Sequence, residues 1–235
     1  MMRMVIRSIP IAALALCLGA AHLSAQQQPG NGNFQWYVGG QGGILNFETP
    51  TQDRTTIPLG GAHLLITAKR TGLLLSVEQG FGSDETSGYT FTVVDSTDVI
   101  VSQQQIIGTF SHLRKYSAML MAFPIQGPAT PFLGIGVGIL HTGGHSPDDA
   151  VAKELGSSGF GSLVAGLNFR VSRFSAFGQY QVTTGPAGQS ITQTGANNMT
   201  FISSGRLING PTHTFSAGLR FGLGSAREGP KTPSY

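Results

Sequence analysis

Hydrophobic alternation at a period of two, scarce charge without long apolar runs, and connections that alternate between short and long predict an all-β chain. The same observations predict closure into an eight-stranded antiparallel barrel of up-and-down order. Only 11% of the 235 residues are charged, against about a quarter in ordinary globular chains. Mean hydropathy is nevertheless only +0.08, so helical membrane spans have not replaced the missing charge. The 34 glycines suit strands better than helices, because glycine weakens a helix interior and serves where backbones or side chains approach closely.

Residues 1–25 read as an export signal. Arg3 and Arg7 form a positive start, Ile9 to Ala21 is apolar, and Leu23-Ser24-Ala25 precedes the polar Gln26-Gln27-Gln28, which places cleavage after Ala25. The apolar run is too short for a spanning helix, and Leu16 before Cys17 is too bulky for a lipid-attachment motif. Cleavage removes two of the 14 basic residues against 11 acidic ones, leaving the mature part near neutrality and nucleic-acid binding without support. It also removes Cys17, the only cysteine, and with it any disulfide or thiolate metal site.

A linker at 26–33 leads to the barrel, expected over 34–223. In the first strand Trp36, Val38 and Ile44 oppose Gln35, Tyr37 and Gln41. Ala62, Leu64, Ile66 and Ala68 then oppose His63 and Thr67, and Leu73, Leu75, Val77 and Phe81 oppose Ser76, Glu78 and Gly80. A fourth strand lies between Val99 and Phe123 and ends on Tyr116, Ala118, Leu120 and Ala122; Met119 and Met121 blur its faces and leave its register open. Leu133, Ile135, Val137 and Ile139 alternate with Gly134, Gly136 and Gly138, a period that explains the glycines without a nucleotide-binding loop. Leu163, Ala165, Leu167, Phe169 and Val171 oppose Ser162, Val164, Gly166, Asn168 and Arg170. Phe174, Ala176, Gly178, Tyr180 and Val182 oppose Ser175, Phe177, Gln179, Gln181 and Thr183. The last strand sets Phe215, Ala217, Leu219, Phe221 and Leu223 against Thr214, Ser216, Gly218, Arg220 and Gly222. A polar tail, 224–235, follows.

Short turns are expected at Lys69 to Gly72, Pro124 to Pro131 and Arg170 to Arg173. Long loops are expected at Glu48 to Pro58, Gly82 to Val99, Thr142 to Ser158 and Gly185 to Pro211. Such asymmetry marks outer-membrane barrels, with short periplasmic turns and long outward loops. Strands in a bilayer must close, since each unpaired backbone group in hydrocarbon costs several kcal/mol. The apolar stripe then faces lipid and the small or polar stripe fills the lumen; a lipocalin-like soluble barrel would reverse this polarity. Export, scarce charge and an outer stripe free of Lys and Glu on several strands favour lipid. Trp36, Tyr37, Tyr116, Phe123, Phe169, Phe174 and Phe221 are expected in aromatic girdles at the strand ends.

The closing strand, with Ser216, Gly218, Phe221 and Leu223, resembles the β-signal of outer-membrane proteins. The span from Phe34 to Leu223, with its opening Trp36-Tyr37-Val38-Gly39, resembles the small eight-stranded barrels of the OmpA/OmpW type. That resemblance implies insertion by the barrel-assembly machinery into the bacterial outer membrane, and it carries fold and location rather than activity.

Glu78 is the foremost candidate for internal chemistry. Alternation puts it on the lumen face, where a carboxylate needs a partner, and Arg114, Arg170 or Arg220 could supply one and plug the barrel. The alternative places Glu78 near a barrel end in water. His141 and His145 with Asp148 and Asp149 could make a weak cation site in a loop, although the histidines lack metal-ligand spacing. Asp95, Ser96, Asp98 and His145 are the rim residues an outer-membrane enzyme would need, but no catalytic motif surrounds them. The sequon at Asn198 carries little weight in an exported bacterial chain. The expected function is therefore non-enzymatic, without metal or cofactor: a structural or surface role through outer loops whose ligand is unspecified. A narrow channel for small or apolar solutes is the alternative, and an outer-membrane enzyme a remote third.

Overall fold

The computed structural model describes residues 34–125, 127–185, 188–195 and 199–226. The expected signal and linker, most of the tail, and Asn198 lie outside these residues. The elements in chain order are β1 (Phe34–Thr49), β2 (Gln52–Ala68), β3 (Thr71–Val94), β4 (Ile100–Ala122), β5 (Ala129–Gly143), α1 (Ala150–Leu155), β6 (Ser157–Val171), β7 (Phe174–Thr183), β8 (Gln189–Thr194), β9 (Thr200–Gly205) and β10 (Asn209–Ala226).

Eight of these strands, β1 to β7 and β10, form a closed antiparallel ring. Each pairs with its chain neighbour, and β10 returns to β1 in a register that sets Val38 opposite Phe221 and Ile44 opposite Phe215. Closure leaves no edge within the apolar belt, as strands in hydrocarbon require. The two faces follow the alternation in the sequence. Val38, Val77, Leu120, Ile135, Leu163, Phe174 and Leu219 point outward and exposed, while Tyr37, Leu74, Met119, Phe132, Val164, Phe177 and Arg220 point inward and buried.

At one end the connections are tight. Lys69 and Arg70 join β2 to β3, and Ser172 and Arg173 join β6 to β7; Lys69 (φ 46°) and Ser172 (φ 57°) take the left-handed conformation that a two-residue hairpin turn demands. At the other end, three expected loops are largely structured. β1 and β2 run on to a turn at Pro50 and Thr51, and β3 and β4 extend to a turn at 95–99. The 185–211 segment contributes the β8–β9 hairpin, whose β9 pairs with the outer part of β3, Thr90 opposite Ser204 through Val94 opposite Thr200. Beyond the belt both faces of a strand meet water or loops, so hydrophobic alternation fades while backbone pairing continues. That is why these strands read as loops.

The girdle expectation also needs correction. Trp36, Phe169, Phe174 and Phe221 are exposed near the tight-turn end, with the Phe174 and Phe221 rings 5.3 Å apart, whereas Tyr37 and Phe123 are buried inside. Parity decides this for Tyr37, which sits on the lumen stripe of β1, between the outward Trp36 and Val38.

Candidate functional site: a filled barrel interior

An eight-stranded closure leaves a lumen about wide enough for side chains, and this chain fills it in three layers. Nearest the tight turns, Tyr37, Leu65, Leu74, Met119, Met121, Phe132, Val164 and Phe177 form one apolar cluster. Toward the long connections, Leu45, Phe47, Ile57, Phe110, Leu113, Leu140, Phe160 and Ile208 form another. The glycine row of β5 makes room for this filling. A Cβ at Gly134 would lie 2.5 Å from Met121 Sδ, one at Gly136 would lie 2.5 Å from Met119 Cγ, and one at Gly138 would collide with the Phe160 ring.

Between the clusters lies a polar layer built around Glu78 and Lys115. These residues are direct neighbours across the β3–β4 ladder, Lys115 Nζ stands 2.8 Å from Glu78 Oε2, and each side chain is 1% exposed. Lys115 Nζ also donates to Gln181 Oε1 and Thr214 Oγ1, both at 2.9 Å, so all three ammonium protons have acceptors. Gln41 donates to Glu78 Oε1, Gln181 passes a further bond to Ser162 Oγ at 3.1 Å, and the Ser76 and Ser117 hydroxyls meet at 2.6 Å. A buried ion pair recovers its desolvation cost only with such additional bonds. Here three further strands, β1, β7 and β10, supply them to the pair directly.

The arginines expected beside Glu78 are elsewhere. Arg114 has the parity of Tyr116, which faces out, and donates from Nε to Gln79 Oε1 at 2.9 Å. Arg170 lies near the tight-turn end with its guanidinium 5.4 Å from the Tyr37 ring. Arg220 is buried in the lumen but lower, donating from Nε to His63 Nε2 at 3.0 Å and from Nη1 to Asn168 Oδ1 at 3.3 Å, with its guanidinium 3.8 Å from the Phe177 ring. Lys115 wins because cross-strand adjacency delivers it to Glu78 without a long reach. The parity that turns Tyr116 outward turns Lys115 inward, which is the sequence signal for this partner. Of the β-signal positions, Ser216 is buried in the lumen and Phe221 and Leu223 face outward on β10. Gly218 sits where a Cβ would meet the β1 backbone at Gln41 Cα, 2.9 Å away.

Outside the belt, the connections make a cap. Asp149 caps α1, accepting from Val151 N at 2.9 Å, and also accepts from Tyr89 Oη at 2.5 Å. Burial, then the Asp149 bond, push the Tyr89 phenol up to about 12. Ser87 Oγ donates to Leu207 O at 2.8 Å, tying β3 to the segment before β10. A cavity of about 30 Å³ beneath, lined in part by Tyr89, Phe110, His145, Asp149 and Leu207, has room for water only. His141 Nδ1 is engaged with Ser157 Oγ at 2.6 Å and His145 Nε2 with Thr142 O at 3.1 Å; desolvation holds the His145 imidazole below its usual pKa. Among the described residues no group of three or more His, Cys, Asp or Glu is placed to hold a metal ion. Asp95 bonds its own turn, accepting from Thr97 N at 2.8 Å and Val99 N at 3.0 Å.

No protein-family model matches the chain, and no curated relative does. Among solved structures it is similar to Neisserial surface protein A, with 12% identity over 79% of this chain and 96% of that one, at a TM-score of 0.49. It is also similar to the outer membrane protein OprG of Pseudomonas aeruginosa, with 11% identity over 81% and 98% of the two chains, at 0.43. A third is the attachment invasion locus protein Ail of Yersinia pestis, with 15% identity over 81% and 99%, at 0.34. The fold assignment rests on the ring itself: eight antiparallel strands in up-and-down order, apolar outside, tight turns at one end and long structured connections at the other. By that architecture the chain has the fold of a small eight-stranded up-and-down β-barrel.

Proposed function

We propose that the chain is a non-enzymatic bacterial outer-membrane protein, a closed barrel that anchors a structured cap at the cell surface. The carrying observation is the Glu78–Lys115 pair, 1% exposed on both sides, with apolar clusters above and below it. A solute moving along the axis would have to displace Phe132, Met119, the ion pair, Leu113 and Phe110 in turn. The lumen therefore supports anchoring rather than passage. The outer ring of Val, Leu, Ile and Phe supports lipid contact, and the lysine and arginines at the tight turns suit the periplasmic end, where no apolar belt must be crossed. The β-signal positions on β10 support delivery through the barrel-assembly machinery. Signal cleavage after Ala25 completes this reading.

Planar-bilayer recording tests it. The refolded chain is expected to give no steady conductance, and a large persistent one would replace the anchor with a channel. A heat-dependent gel shift in the outer-membrane fraction is the expected signature of location.

A further inference from the structure

The outer part of β4, from Ile100 to Gly108, is a strand with one neighbour among the described residues. β3 pairs with it through Val94, whereas β5 joins β4 only from His112 onward. On the open side the amide and carbonyl of Thr109 both bond Ser146, and Pro147 and Asp149 line a small cavity with Ile107 and Gly108. N–H and C=O directions alternate along a strand, so residues 107, 105, 103 and 101 present theirs to the same open side. Exposed edges are ordinarily blunted by charge, proline or a bulge. The run from Val99 to Gly108 contains no charged residue and no proline, and its ladder to β3 is unbroken from Thr86 to Val93. Val101 and Ile107 stand 59% and 57% exposed.

We propose that this edge recognises a second copy of the chain on a facing membrane, through antiparallel pairing of β4 with β4 centred on Gln104. The inference rests on the surface location given above. Turned head to tail about Gln104, the segment matches itself. On the face of the odd-numbered residues Val101 meets Ile107 and Gln103 meets Gln105; on the other face Gln104 meets its own copy, Ser102 meets Ile106 and Ile100 meets Gly108, and no like charges meet. Direction decides where the partner sits. Copies inserted in one bilayer share one polarity and raise β4 in the same sense, so an antiparallel partner must come from an opposing surface. At about 3.4 Å per residue the stretch from His112 to Gln104 is roughly 27 Å long, enough to project beyond the apolar belt.

The geometry makes the test specific. Gln104 would form a non-hydrogen-bonded pair with its own copy, with Cα atoms about 4.5 Å apart, which lies within disulfide range. Two differently labelled populations of phosphatidylcholine–phosphatidylglycerol vesicles, each carrying the refolded chain in a Cys17→Ser background, are mixed and followed by light scattering. Clustering is expected, with a Gln104→Cys variant forming disulfide-linked dimers across the two populations under mild oxidation and a Ser102→Cys variant forming none. Gln105→Pro removes an edge N–H that faces away from β3, leaves the β3 ladder and the barrel's gel shift intact, and is expected to abolish clustering. Absence of clustering, clustering that survives Gln105→Pro, or equal crosslinking by Ser102→Cys would overturn the proposal. Conductance of the same vesicles reports separately on the closed interior: an open lumen sinks the anchor reading without touching the pairing, and loss of pairing leaves the anchor standing.

Discussion

Glu78 and Lys115 sit opposite each other on adjacent strands and meet at 2.8 Å in the middle of the barrel, each with 1% of its side chain exposed. Removing one partner strands a charge in a low-dielectric layer, which costs about 3–5 kcal/mol, whereas removing both is often neutral. Glu78→Leu or Lys115→Met alone is therefore expected to lower the urea midpoint of the refolded barrel sharply, and the double variant to recover most of it. A double variant as weak as the sum of the singles would mean that the pair is not coupled.

The β5 glycines are expected to be unequal to the outward-facing Gly178 on β7. Alanine at Gly138 drives its methyl into the Phe160 ring, and overpacking of this kind costs about 1–3 kcal/mol. Alanine at Gly178 meets nothing within 4 Å and is expected to stay within about 0.5 kcal/mol of the parent. Heat-modifiability on a gel, scored as the temperature at which the compact band disappears, distinguishes them.

How far the sequence carried these conclusions depends on height along the barrel. Between the tight turns and the upper apolar cluster the strands other than β4 read from their alternation, because an apolar outer face and a narrow filled lumen impose a strict period of two; Leu133 to Ile139 against Gly134 to Gly138 is the clearest case. Glu78 was legible as a lumen residue for the same reason. Its partner was not: the arginines expected there lie elsewhere, and the outward parity of Tyr116, which turns Lys115 inward, is blurred by Met119 and Met121 on the same strand. Above the belt the constraint vanishes. Thr90, Thr92, Ser203 and Ser204 look like loop residues, yet they form a ladder, held by backbone bonds that leave no mark on side-chain polarity.

The Tyr89–Asp149 contact predicts a pH dependence for the cap. The phenol is raised to about 12 from the ordinary 10, so its contribution to cap stability is fully present below pH 10 and is lost as pH rises toward 12. Spectroscopic titration of tyrosinate should show one late-ionising phenol that returns to the common pool in Asp149→Ala. An unchanged titration in that variant would mean that burial alone sets the value.

Asp149→Ala also removes the N-cap of α1, a loss of about 1 kcal/mol for caps of this kind. Amide hydrogen exchange is expected to quicken through 150–155 while protection in β4 and β5 is unchanged. Equal loss of protection in the barrel strands would show that cap and barrel unfold as one unit.

The bond from Ser87 to Leu207 joins positions 120 residues apart, and the β3–β9 ladder beside it spans a similar interval. During biogenesis the exterior therefore stays unfinished until almost the last hairpin has emerged, however early β3 is in place. A change of length or register in the 185–211 stretch alters what covers β3, so that stretch and the outer part of β3 are not separately exchangeable.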